Sequence, residues 1–253
     1  MLTVLSPAKT LDFESKAKTK KFTQPEFLDE AEYLTKKLQQ KSSRQLQSMM
    51  NISQDLADLN HDRFASWGRP FSLDNAKQSI FAFTGDVYQG LDVDQLKSDD
   101  LAYAQNHLRI LSGLYGVLKP LDLMQPYRLE MGTSLKVTEK KDNLYKFWSD
   151  EIAKNLKEDN NDDVLVNLAS QEYFKAVDKK VLGGKIITPV FKDYKNGKYK
   201  VIAFFAKKAR GAMARFIIKN RIDNPKDLQA FDELDYVYNS EMSTEDEPVF
   251  TRR

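Results

Sequence analysis

At 253 residues the chain is long enough to bury a substantial core, and 41% apolar with 11% aromatic residues is not the composition of a disordered chain. It has no cysteine and two histidines, which excludes a disulfide framework, thiol catalysis, an iron–sulfur cluster and a Cys/His zinc site; no cofactor and no stable metal site are expected. The net charge of +2 conceals an asymmetry: from Tyr194 to Ile222 there are nine Lys or Arg and no Asp or Glu, leaving about −7 for the remainder. Such a division suits a polyanionic partner.

The chain opens on a short apolar run without a preceding basic region, which predicts a strand over residues 3–5 and not a signal peptide. No window approaches the roughly 20 apolar residues of a membrane span. With the missing cysteines, this makes a cytoplasmic location the expectation. Ser6-Pro7-Ala8-Lys9 matches the bare Ser-x-x-Lys of some acyl-transfer enzymes, but the partner motifs are missing, and Lys9 reads as a cleft cation.

Thr23-Gln24-Pro25-Glu26 combines a capping box with an early proline and predicts a helix burying Phe27, Ala31, Leu34 and Leu38. Ser42 with Gln45 opens the next in the same way. Residues 46–57 then have the register of a helix-hairpin-helix: an apolar pair three apart, a tight turn around Ile52, and an alanine five residues later. In that motif small turn residues expose backbone N–H groups to a DNA phosphate. Asn51 and Ser53 replace the usual turn glycines; Asn tolerates left-handed geometry and Ser caps helices, so the turn remains feasible. A plain packing hairpin is equally compatible with these residues.

Residues 80–83 read as a strand. Leu101, Ala104, Leu108 and Leu111 predict a helix ending near Gly113, with His107 as a hydrogen-bonded structural residue. Prolines and glycines between 111 and 132 predict a shaped loop, with Lys119, Tyr127 and Arg128 as candidate cleft residues; the alternative is scaffolding with an Arg128–Glu130 pair. No Walker-type Gly-Lys-Ser/Thr is present. Leu144, Trp148, Ile152 and Leu156 predict a further helix, followed by an acidic surface loop at 158–163 and a strand at 164–168. The strand-to-helix edge after it keeps Asn167 and Ser170 as ligand candidates.

Strands at 186–191 and 198–205 flank Lys195-Asn196-Gly197-Lys198, whose Asn-Gly suits a type I′ hairpin. In the helix predicted from Ala206 to Arg221, Ala206, Ala209, Met213, Phe216 and Ile217 form the buried stripe. Lys208, Arg215 and Lys219 lie on one flank and Lys207, Arg210 and Arg221 on the other, while Gly211, Ala212 and Ala214 let a partner backbone approach. An ordinary solvated helix with snorkelling side chains is the alternative, but such helices usually balance Lys with Glu, and this one has no acid. Residues 236–238 and 249–250 read as short edge strands. The pattern implies an α/β (mixed α+β) fold in one domain over 1–253, with a mixed sheet and surrounding helices.

The stretches Leu5-Ser6-Pro7-Ala8-Lys9-Thr10-Leu11-Asp12, Phe83-Thr84-Gly85-Asp86-Val87-Tyr88, the run from His107 to Gly132, Asn167-Leu168-Ala169-Ser170, Glu172-Tyr173-Phe174-Lys175 and Phe205-Ala206-Lys207-Lys208-Ala209-Arg210-Gly211 resemble the bacterial YaaA peroxide-stress family. The resemblance covers almost the whole chain in long ungapped runs. It implies a cytosolic role in the hydrogen peroxide response, a link to low intracellular free iron, an unusual α/β fold with a positive cleft and a helix-hairpin-helix, and binding to double-stranded and branched DNA. Carried to this sequence, the hairpin falls on Asn51, Ile52 and Ser53; no catalytic residue is carried over. A DNA-binding protein would use those three with Lys207, Lys208, Arg210, Arg215 and Lys219. An enzyme acting on a nucleotide or other phosphate compound would instead gather Lys9, Asp86, Tyr127, Arg128, Glu130, Asn167 and Lys207. A narrow pocket favours the enzyme, and an open basic groove favours DNA.

Overall fold

Leu2, Thr3, Val4 and Leu5 are all buried, as in a strand covered on both faces. The computed structural model describes residues 1–160 and 162–253, so Asn161 of the acidic loop lies outside the described residues. In chain order β1 (Leu2–Leu5) precedes β2 (Thr10–Leu11), α1 (Leu28–Gln39), α2 (Ser43–Met50), α3 (Gln54–Ser66), β3 (Lys77–Gln78), α4 (Ser79–Ala82), β4 (Phe83–Thr84), α5 (Asp86–Leu91) and α6 (Ser98–His107). Next come β5 (Leu108–Ser112), β6 (Gly116–Leu118), β7 (Leu123–Met124), α7 (Leu144–Trp148), α8 (Glu151–Asp159), β8 (Val164–Leu168), α9 (Gln171–Phe174) and α10 (Lys179–Leu182). The chain closes with β9 (Lys185–Ile187), β10 (Val190–Lys195), β11 (Lys198–Lys200), α11 (Ala203–Asn220), β12 (Val237–Tyr238) and β13 (Val249–Arg252).

The fold is mixed α/β. The main sheet has the order β6-β5-β1-β8-β9, with β1 parallel to both β5 and β8, β9 parallel to β8, and β6 antiparallel at the edge. A second sheet, β11-β10-β13-β12, carries the Asn196-Gly197 hairpin, with φ of 55° and 79° at its two tip residues. Two short ribbons pair β2 with β4 and β3 with β7. Among the described residues no helix is long and apolar enough to cross a membrane, and no group of three or more His, Asp or Glu is placed to hold a metal ion.

Several elements differ from the sequence expectation. The helix expected through Leu111 stops at His107, because Leu108 and Leu111 enter β5, buried at every position beside β1. Of residues 80–83, the first three belong to the helical turn α4, and only Phe83 lies in a strand, the two-residue β4. The stretch from Leu144 to Leu156 divides into α7 and α8 at Ser149, whose φ of 47° no continuous helix accepts. Pro189 separates β9 from β10, which belong to different sheets. Strand β11 ends at Lys200, and α11 begins at Ala203. The Ser42–Gln45 capping box forms, but Thr23 caps nothing. Thr23 instead bridges to Asp122, donating its hydroxyl to that carboxylate at 2.6 Å.

Asp122 is 3% exposed, and burial pushes its carboxyl up to about 6 despite hydrogen bonds from Thr23 and the Lys119 N–H. Its folded pKa exceeds the unfolded value, so its contribution to stability is full below about pH 4 and is lost as the pH rises through about 6. Ionisation in place costs on the order of 3 kcal/mol. Asp122→Asn is therefore expected to gain stability relative to wild type as the pH rises from 4 to 8 in urea unfolding. A stability difference independent of pH would show that the carboxyl ionises as freely in the folded chain as in the unfolded one.

Candidate functional site

The chain leaves β1 toward β5 on one side, and leaves β8 toward β9 on the other. Adjacent parallel strands whose connections diverge in this way open a crevice at their C-terminal ends. Here Ser6 to Thr10 follow β1, and Ser170 to Tyr173 follow β8. The Ser170 N–H donates to Ser6 Oγ at 2.8 Å and ties the two loops together, while buried Tyr88 donates to the Ser6 carbonyl at 3.1 Å. Pairing of β2 with β4 brings Gly85 and Asp86 to the same rim; Gly85, at φ 111°, stands where a Cβ would lie 3.2 Å from Thr10 Oγ1. Helix α11 covers the crevice because it crosses α5 with backbones in contact. A Cβ on Gly211 would lie 1.7 Å from the Val87 carbonyl oxygen, and one on Gly90 would lie 1.9 Å from that of Lys208. The small residues of α11 thus serve a helix of the same chain.

The result is a cavity of about 320 Å³. Its charged residues are Lys9, Lys207 and Arg210 against Asp86, Glu130 and Glu172, so it is formally neutral. Lys9 pairs with Glu130 at 2.6 Å, Lys207 stands 4.0 Å from Asp86, and Glu172 accepts the Gly132 N–H at 2.9 Å. Arg210 has no hydrogen-bond or ion-pair partner among the described residues, and burial pulls its guanidinium below its ordinary pKa. Pro7, Val87, Leu168 and Tyr173 give the cavity an apolar wall.

The other residues expected at a cleft are placed differently. Tyr127 is buried with its hydroxyl 2.6 Å from that of Ser112, and desolvation pushes it well above its ordinary pKa. Arg128 does not line the cavity, but donates to Glu130, which does, at 3.2 Å. The Asn167 side-chain oxygen accepts the Ala169 N–H and shapes the bend after β8. Lys119 belongs to the opposite end of the sheet, beside Met1, Arg109 and Asp159. There His107 Nδ1 lies 3.2 Å from the Met1 carbonyl. Arg215 faces inward: it donates to the Gly90 carbonyl at 2.8 Å and pairs with Glu233 and Asp92. Arg221 pairs with Asp100 at 2.8 Å. Lys219 is exposed and Lys208 half-buried, and neither has an ion-pair partner among the described residues.

The α2–α3 connection is a tight hairpin away from the cavity lining. Asn51 ends α2 at φ 51°, ψ 57°, and Ser53 caps α3 with its Oγ 3.4 Å from the Leu56 N–H. The first helical bond of α3 is Ala57 N–H to the Ser53 carbonyl, so the N–H groups of Gln54 and Asp55 have no intrahelical acceptor. Leu46 and Ala57 are fully buried at the helix contact, and Gln54 clasps Asp58 at 2.8 Å.

The model of the family described as "Peroxide stress protein YaaA" matches residues 1–242. A UPF0246 protein of Alteromonas mediterranea is 57% identical over 255 residues, spanning 100% of this chain and 98% of its own length. One from Shewanella loihica is 54% identical over 256 residues, with the same coverage. The chain belongs to the YaaA peroxide stress protein family. In this YaaA-family protein the sequence reading missed one surface. Tyr194, Phe204 and Phe205 are 47%, 52% and 38% exposed, and the guanidinium groups of Arg253 and Arg252 lie over the Tyr194 and Phe205 rings at 5.6 and 4.4 Å. Aromatic residues interleaved with Lys195, Lys198 and Lys200 were the available signal, obscured by reading 198–205 as one strand.

Proposed function

We propose that this YaaA-family protein acts in the hydrogen peroxide stress response by binding double-stranded and branched DNA and so protecting it, with lowered free iron as the setting the family implies. The observation that carries this reading is the residual charge of the acid-free run. Of its nine cations only Lys207, Arg215 and Arg221 have carboxylate partners among the described residues, leaving Lys195, Lys198, Lys200, Lys208, Arg210 and Lys219. Backbone phosphates are met by such cations without reading sequence. The exposed Tyr194, Phe204 and Phe205 supply rings on which unstacked bases at a branch point can stack. The hairpin at Asn51, Ile52 and Ser53 adds the free N–H groups of Gln54 and Asp55 as a second phosphate contact.

The test is fluorescence anisotropy with labelled duplex and four-way branched DNA over a range of salt. Lys208→Glu with Lys219→Glu is expected to weaken binding by roughly tenfold or more and to lower the salt slope by about 2. Gln54→Pro tests the hairpin separately, because proline is tolerated at the first helical position and Ser53, at ψ 161°, is already extended as a residue before proline must be. It removes one N–H and is expected to weaken binding more than Gln54→Ala. Unchanged binding by the folded double variant would overturn the reading.

A further inference from the structure

The geometry points to the cavity between the ends of β1 and β8 as a binding site for a nucleoside monophosphate, with the phosphate on Arg210 and the base against Tyr173 and Leu168. The site does not include Lys208 or Lys219, on which the DNA test above rests.

Three observations carry this. The cavity stands at the switch point of the parallel sheet, where the loops after two neighbouring strands diverge and expose backbone and side-chain polar groups at one crevice. Its volume of about 320 Å³ is that of a pocket for one small molecule, too confined for a duplex. Its charge is also selective. Lys9 and Lys207 each face a carboxylate, and Arg210 is the cation left without one among the described residues. A desolvated guanidinium is a costly group to leave unpaired, and its planar fork matches a phosphate in bidentate fashion.

A single phosphate gives Arg210 the partner it lacks. A triphosphate would bring further negative charge against Asp86, Glu130 and Glu172, which line the same space. Those carboxylates accept hydrogen bonds and have none to give, so they suit the amino and imino groups of a base edge. The apolar wall of Pro7, Val87, Leu168 and Tyr173 suits its faces. An inorganic ion would use Arg210 and leave this apolar wall uncovered.

The experiment is thermal unfolding and calorimetric titration of the full chain with AMP, GMP, CMP, UMP, ribose 5-phosphate, inorganic phosphate and ATP. At least one nucleoside monophosphate is expected to raise Tm by roughly 5 °C at a hundredfold excess over its Kd. That nucleotide is expected to bind at least tenfold more tightly than ribose 5-phosphate, phosphate or ATP. Arg210→Gln should cut its affinity tenfold or more while leaving the unliganded Tm near wild type, since the side chain has no partner to lose. Lys207→Gln, on an exposed side chain, provides a second variant and should weaken binding less. Absence of binding by all four monophosphates overturns the proposal. So does equal binding of phosphate or ribose 5-phosphate, equal binding of ATP, or affinity unchanged in both variants. Each of these outcomes is independent of DNA binding through Lys208 and Lys219.

Discussion

Gly211→Ala is expected to destabilise the protein by about 3 kcal/mol or more, lowering Tm by roughly 6–12 °C. The added methyl would stand 1.7 Å from the Val87 carbonyl oxygen and 2.6 Å from the Leu91 nitrogen, both backbone atoms of α5. Neither can rotate away as a side chain would, so the two helices must separate by more than an ångström. Gly90→Ala meets the Lys208 carbonyl from the other side and should behave alike. Gly68→Ala, with nothing within 4 Å of its added carbon, is the control and should be nearly neutral. Because α11 carries Lys207 and Arg210 over the cavity and α5 carries Asp86, separating the helices also opens the site. Near wild-type melting of Gly211→Ala would mean that the crossing is looser than the structure shows.

Arg215→Glu should be about as damaging, for an electrostatic reason. Arg215 is 17% exposed, holds the Gly90 carbonyl, and is the cation between Glu233 and Asp92. Reversing its charge places three carboxylates together and removes the donor to Gly90, at a cost of about 3 kcal/mol or more. Lys208→Glu and Lys219→Glu, on the same flank of the same helix, should each shift stability by less than about 0.5 kcal/mol. Chemical denaturation of the three variants separates the cation that builds the fold from those left for a partner. Equal stability of all three would place Arg215 among the surface cations.

The contrast shows what could be read from residues alone. The buried run of β1, the Ser42–Gln45 box, the Asn196-Gly197 turn and the long basic helix were all legible, since each is a local pattern with a local cause. Leu108 and Leu111 were misread because a spacing of three fits one helical face, and a strand buried on both sides accepts apolar residues at any spacing. The fate of individual cations was not legible. Arg215 is neutralised from positions 92 and 233, Arg221 from 100, and Arg210 by nothing among the described residues; the run itself records none of this. The cavity was illegible for a similar reason. Lys9, Asp86, Glu130 and Lys207 were suspected together, but their convergence depends on a strand order that periodicity does not contain.

That strand order also sets a schedule for the newborn chain. The central strand β1 is made before both of its partners, which pair with it from Leu108 on one side and from Leu165 on the other. At a synthesis rate of about 5–20 residues per second, Leu2 waits roughly 8–30 s before Leu165 has even been added. During that interval an apolar strand with open edges is exposed to chaperones and to other nascent chains. The last wall of the cavity, α11, arrives later still. A chain truncated before α11 therefore carries both loops of the crevice and no cation from the helix that covers it, so ribosome-bound fragments of this protein should acquire the cavity only once α11 has been made.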